Sequence, residues 1–273
     1  MADRQATSEN ELLDPFFGPV AHHLGWAPPI RYLLRRQRIL RLLHKGSLGD
    51  IVEVGSGAGA LLCELSRYAR SAVGIETSER ALRISRTLAG TVAADVRFVE
   101  RPGPDWDGRK DLVCAFDVLE HIENEDVELA TWLSWLKAGG RVCLSVPAHR
   151  ARWGAGDEWA GHWRRYDRSD LVALLSRHNL DVEHLESYGF PVANLTERIG
   201  QRSYRKMLRQ RGDSISPPEA TAESGVERSR YLRLFQHMDS LPGRFGLRLG
   251  FMAQAMTSRL DWGSGYLVMA RPR

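Results

Sequence analysis

The feature that most constrains this chain is the run Asp50-Ile51-Val52-Glu53-Val54-Gly55-Ser56-Gly57-Ala58-Gly59. An apolar segment broken only by Glu53 has the pattern of a strand buried on both faces, as in a sheet covered by helices. Glycines at 55, 57 and 59 let the backbone turn sharply and come close to a ligand. The helix expected from about Ala60 to Tyr68 then offers unpaired N–H groups and a partial positive charge. The run predicts a nucleotide-type site just beyond a buried strand.

Gly55-x-Gly57-x-x-Ala60 satisfies the dinucleotide fingerprint, so NAD-linked oxidoreduction is one reading. Glu53, two residues before the first glycine, and the third glycine at 59 follow (D/E)-x-G-x-G-x-G. That pattern resembles motif I of the class I S-adenosylmethionine-dependent methyltransferases. A sulfonium cofactor carrying an ammonium group is suited by a nearby carboxylate, whereas a pyrophosphate is not. Two later stretches strengthen the resemblance. Asp117-Val-Leu119-Glu120-His121-Ile122, after an expected fourth strand at Asp111–Asp117, looks like the signature of the type 11 methyltransferase group. That group includes the ubiquinone-biosynthesis O-methyltransferases. Lys137-Ala-Gly139-Gly140 matches a turn frequent in the family, read here as the glycine-terminated end of a helix over 124–136.

The resemblance implies an α/β fold: a Rossmann-like sheet of seven strands, the last antiparallel, with helices on both faces. The other strands are expected at Ser71–Glu76, Asp95–Val99, Arg141–Val146, Leu180–Tyr188 and Gly265–Ala270. About seventy residues separate the last two, where the family has a short connection. The expected organisation is an N-terminal helical cap over 1–48, a cofactor-binding core over 49–190 and 262–273, and a helical insertion over 191–261. Within the cap, Arg31–Lys45 is amphipathic, and its arginines form either a solvated face or, with Trp26, a cover over the cofactor. Within the insertion, helices are expected near 191–210, 230–238 and 247–260, with a loop at 213–224. Arg202, Arg205, Lys206 and Arg209 share one face of the first. The insertion reads as a lid or as the surface of a homodimer.

The resemblance assigns cofactor contacts to Glu53, Gly55, Ser56, Gly57, Gly59 and Asp117. Glu76, at the tip of the second strand, is placed to accept both ribose hydroxyls, with Thr77 beside it. Arg101 lies where the adenine ring should be flanked, although the family's usual Gly-Asp pair is absent there. The segment 147–166 is rich in aromatic and ionisable residues, and long loops inside compact domains are usually functional. Trp153, Asp157 and Tyr166 are its expected acceptor contacts. Methyl transfer is an in-line displacement, so the protein mainly aligns the reactants. An oxygen nucleophile also needs a base, for which His149, His162 and His121 are the candidates, His149 foremost. Asp117-x-x-Glu120-His121 also resembles a metal cluster of some ubiquinone O-methyltransferases, but cofactor contact and helix capping account for the same residues, and no metal is expected.

Charged residues are 26% of the 273 and the net charge is +4, too mild to indicate nucleic acid. No apolar run reaches the roughly 18–20 residues that span a bilayer. The first residues lack the apolar core of a secretion signal. Cys63, Cys114 and Cys143 sit in apolar patterns as small hydrophobes. The expectation is a cytoplasmic S-adenosylmethionine-dependent methyltransferase that methylates a small molecule on oxygen. An N- or C-methyl acceptor, or a catalytically silent binding protein of the same fold, stands as the alternative.

Overall fold

The computed structural model describes residues 13–14, 16–44, 46–211 and 229–273. The loop expected at 213–224 falls outside them. Seven strands form one sheet: β1 (Gly49–Val54), β2 (Ala69–Ile75), β3 (Arg97–Val99), β4 (Lys110–Phe116), β5 (Leu136–Pro147), β6 (Leu180–Tyr188) and β7 (Gly265–Pro272). Their order is β3-β2-β1-β4-β5-β7-β6, and only β7 runs antiparallel to its neighbours. The expected fold is therefore the observed one. Helices α1 (Ile30–Leu43), α2 (Ala60–Leu65), α3 (Glu79–Thr91), α4 (Glu125–Ser134), α5 (Ala155–Ala160) and α6 (Arg168–Arg177) surround the sheet. Among the described residues three more precede β7: α7 (Val192–Arg211), α8 (Ser229–Met238) and α9 (Leu241–Thr257).

Alternation along the strands assigns the two cores. Val52, Val113, Val142, Leu144 and Val268 face α4 and α6, meeting Leu129, Trp132, Leu171 and Leu174. Ile51, Leu112, Cys114, Cys143 and Leu267 face the other way, onto Ile39 and Leu43 of α1 and Leu61 and Leu62 of α2. All three cysteines are buried and unpaired.

One expectation is corrected, and one left open is resolved. Helix α4 stops at Ser134, and Leu136–Gly140 belongs to β5. Gly139 does take positive φ (78°), but within a strand whose pairing register to β4 slips between Lys110 and Leu112. It serves an irregularity in the ladder: Lys110 pairs with Leu136 and Leu112 with Arg141, so β5 carries three residues more than β4 over that step. The arginines of α1 are also largely unsolvated. Arg36 ion-pairs with Glu64 of α2, and Arg38 pairs with Glu186 of β6 at 2.5 Å. All four of these side chains are buried. A buried pair of this kind is costly to break, because either partner alone is left as an uncompensated charge.

Candidate functional site

The sheet order reverses between β1 and β4, and the loops leaving their carboxyl ends diverge there to open a crevice. After Val54 the backbone takes positive φ at Gly55, Gly57 and Gly59. The three glycines have different reasons. A Cβ at Gly55 would lie 2.6 Å from Val118 Cγ2, and one at Gly59 would collide with the ring of Phe98. A Cβ at Gly57 would meet nothing within 4 Å. Gly57 thus lines open space, while its two neighbours are packing glycines. Glu76, at the end of β2, braces the loop: its carboxylate accepts the Gly57 N–H and the Ser78 N–H, each at 2.8 Å.

That open space belongs to a cavity of about 640 Å³, within the range of small-molecule sites. Glu53, Gly55, Ser56, Gly57, Gly59 and Asp117 line it, as do Trp26, Arg31 and Arg35 from the N-terminal segment. Glu53 is 5% exposed and its Oε2 has no hydrogen-bond partner. Burial pushes its carboxyl up to about 8, with Arg35 opposing and Glu76 adding to the rise. Asp117 has the opposite fate. Its backbone is at φ 55°, its carboxylate accepts from Ser145 Oγ at 3.0 Å and Tyr188 Oη at 3.1 Å, and Arg35 Nη1 lies at 2.5 Å. Burial would raise its carboxyl, but Arg35 and Arg31 together hold it well below the usual carboxylate range.

The far half of the cavity is built by the 147–166 segment and α7. His162 Nδ1 lies 2.9 Å from Asp157 Oδ1. Asp157 also accepts from Arg165 Nε at 2.7 Å and from the Gly154 N–H at 2.9 Å. Burial acts to raise Asp157, but the hydrogen bonds from His162 and Arg165 outweigh it and hold the carboxyl down at about 2. A carboxylate on Nδ1 selects the tautomer in which Nε2 carries the lone pair. Nε2 lies 4.0 Å from Glu120 Oε1. Glu120 is fully buried, neither of its oxygens has a hydrogen-bond partner, and burial followed by Asp117 pushes it well above its usual range. His121 packs edge-on to His162 at 4.6 Å between ring centroids. Burial and that neighbour lower it to about 4, so it is neutral near pH 7.

Of the remaining expected residues, His121, Asp157 and His162 line the cavity and six do not. His149, the first choice of base, is outside: the chain leaves β5 at φ 63°, and the ring packs on Tyr266 of β7, 5.7 Å between centroids. Its N–H donates to the Tyr166 carbonyl, a pairing that holds it to the returning segment instead of the crevice. Tyr166 is buried, donating its hydroxyl to Glu125. Trp153 is 40% exposed. Thr77 and Arg101 are exposed, and Glu76 reaches the site only through Gly57. The sequence reading also missed the inner face of α7. Thr196, Gly200, Ser203, Tyr204 and Met207 line the cavity, and Tyr204 meets Trp159 of α5 at 5.4 Å. Their spacing of three and four was visible beside the arginine face, and small or polar residues on a helix face opposite a charged one are its signal.

A cofactor crevice at the reversal of strand order, closed by an arginine-bearing helix, defines a protein of the Rossmann-like methyltransferase fold. A family profile described as methyltransferase domain matches residues 29–192, more than half of the chain, and the chain belongs to that family. It is an S-adenosylmethionine-dependent methyltransferase. It is 26% identical over 179 residues to a probable S-adenosylmethionine-dependent methyltransferase of Mycolicibacterium smegmatis, covering 62% of this chain and 68% of that one. It is 30% identical over 131 residues to a ubiquinone biosynthesis O-methyltransferase of Sinorhizobium medicae, covering 46% of this chain and 48% of that one. The chain thus spans about half the length, or less, of the ubiquinone O-methyltransferases it matches. Among solved structures it resembles the [4+2]-cyclase SpnF (TM-score 0.54, 18% identity, 89% of this chain and 81% of that one). It also resembles the YcgJ protein of Bacillus subtilis (TM-score 0.51, 13% identity, 86% and 95%). These two likenesses concern the fold alone.

The site fits the cofactor on its own terms. Gly57 leaves the space a Cβ would take, Glu53 carries an orphan carboxyl oxygen suited to an ammonium group, and Arg31 and Arg35 suit a carboxylate.

Proposed function

We propose that the protein transfers a methyl group to a hydroxyl of a small molecule held between α5 and α7, with His162 as the base. The observation that carries this reading is the Asp157–His162 pair, which lines the same cavity as the glycine loop with Nε2 turned from Asp157 toward Glu120. When bound, the cofactor supplies an electrophilic methyl on sulfur. The chain's own part is to orient the acceptor and hold its proton. Asp157 keeps His162 in the accepting tautomer, and Arg165 anchors Asp157 while also pairing with Glu197 of α7. Proton uptake at His162 Nε2 would then leave an imidazolium stabilised by Asp157. Trp159, Tyr204, Met207 and Ile199 give the acceptor compartment an apolar and aromatic wall, which supports a ring-bearing acceptor. The match to ubiquinone O-methyltransferases supports oxygen as the accepting atom. No described helix is long and apolar enough to cross a membrane. Unpaired cysteines support the reducing cytoplasm as the compartment.

The test is His162→Asn, which removes the base but keeps a polar side chain of similar reach. Its kcat for a phenolic acceptor should fall about 10²- to 10⁴-fold while the dissociation constant for S-adenosylmethionine stays near wild type. Unchanged kcat would remove His162 from the role.

One observation favours a second reading. Glu120, His121 and His162 bring ligand atoms within 4.8 Å of one another, and the Glu120 oxygens are orphaned. A divalent cation there would acidify the acceptor hydroxyl in place of a base. Activity that vanishes with a chelator and returns with the metal would select this reading; activity indifferent to both selects the base.

A further inference from the structure

Helix α9 exposes a row of large apolar side chains: Leu241 (86%), Phe245 (64%), Leu249 (50%), Met252 (62%) and Met256 (83%). Spacings of three and four put all five on one face. The opposite face is used, since Leu247 and Gln254 are buried against the rest of the chain. None of the five lines the cavity. At about 200 Å² per large residue, the exposures amount to roughly 700 Å². Exposed apolar patches above a few hundred Å² mark interaction sites, and a stable interface takes about 800 Å² from each partner.

We infer that this face pairs with its own copy in an antiparallel helix–helix contact centred on Leu249. The row is nearly its own mirror under reversal of direction. With a two-fold axis beside Leu249, Leu241 faces the partner's Met256 and Phe245 faces the partner's Met252. The ends match in charge as well. Asp239, exposed just before the helix and paired with Arg244 of its own chain, then lies toward the partner's Arg259, exposed just after the helix. The antiparallel arrangement also sets each helix N-terminus against the partner's C-terminus, which the helix dipoles favour. A two-fold contact is isologous, so one patch suffices for closure. An anionic bilayer is the competing occupant, which exposed Arg248 and Arg259 beside the row would attract, but it gains nothing from the reversal symmetry of the apolar residues.

Sedimentation velocity on the full chain over a dilution series is the first test, and twice the monomer mass is expected. Phe245→Glu with Met252→Glu should raise the dimer dissociation constant about a hundredfold or more and leave S-adenosylmethionine titration unchanged, which also shows the variant is folded. The native cysteines are buried at 2% exposure or less, so introduced thiols report alone. Leu249→Cys should cross-link to itself on mild oxidation. Leu241→Cys should cross-link only when combined with Met256→Cys. A monomer at every concentration overturns the proposal, as does a dimer that survives the double glutamate variant. Flotation of a monomer with anionic vesicles, lost in the same variant, would overturn it in favour of a lipid surface.

Discussion

Glu53 should make cofactor binding release a proton. Burial holds its carboxyl at about 8 in the free protein, so at pH 7 about nine molecules in ten carry the proton there. A cofactor whose ammonium sits beside Glu53 favours the ionised form, and ionising it at pH 7 costs about 1.4 kcal/mol, or about 2.7 kcal/mol at pH 6. The dissociation constant for S-adenosylmethionine should therefore fall close to tenfold for each pH unit between 6 and 7.5. The cofactor's own amine starts to lose its proton at about 7.7–8.0, so the informative comparison is with Glu53→Gln, which shares that titration. Isothermal titration in buffers of different ionisation enthalpy reads the released proton directly. Wild type should release close to one proton per cofactor at pH 7, and Glu53→Gln should release none and show a flat profile below 7.5. Equal pH slopes in the two proteins would refute the argument. The same shift has a sign for stability. The folded state keeps a proton that the unfolded chain gives up above its ordinary carboxylate value, so this group's contribution is fullest at low pH and declines up to about 8.

Gly57→Val and Gly59→Ala should fail differently. The first adds its side chain to open cavity and a strained positive φ, and should weaken cofactor binding at least about a hundredfold by titration with a modest loss of stability. The second drives a methyl group into Phe98 and should lower thermal stability by about 2–3 kcal/mol, readable as a reduced Tm. Glu64→Ala leaves Arg36 buried without its partner and should destabilise by about 3–5 kcal/mol in denaturant titration. His149→Ala, outside the cavity, should keep kcat within about threefold of wild type; a loss as large as that of His162→Asn would show that His149 reaches the reaction.

What was legible in the sequence was what local rules govern. The apolar runs became strands, and the central ones, β1 and β4, are buried on both faces. Ser78 caps α3 through its side chain as its residue type suggests, and the glycine loop turned where glycine alone avoids the strain. The stretches at 50–59 and 117–122 were readable as a cofactor crevice because each is a short continuous segment, a strand end with its turn or the turn after a strand. The misplacements share a physical cause. Whether His149 or His162 enters the cavity depends on how the chain leaves β5 and on which partner pairs with its backbone, neither of which is encoded within a few residues. The arginines of α1 could be read either as a solvated face or as a cover over the cofactor, because Asp117, the partner of Arg31 and Arg35, lies more than eighty residues away.

Strand pattern and glycine spacing are short-range properties, so the sheet, the cofactor loop and the chemical family follow from the residues in order. How the site is charged and which residues complete it follow from the folded chain. Burial raises both Glu53 and Asp117, but the arginines of α1 sit close enough to hold only Asp117 ionised, so two acids at strand ends take opposite protonation. The return of the 147–166 segment onto the turn after β4, where the Trp163 N–H donates to the Glu120 carbonyl, brought Asp157 and His162 beside Glu120, because desolvation and long-range pairing exist only once the chain has closed on itself.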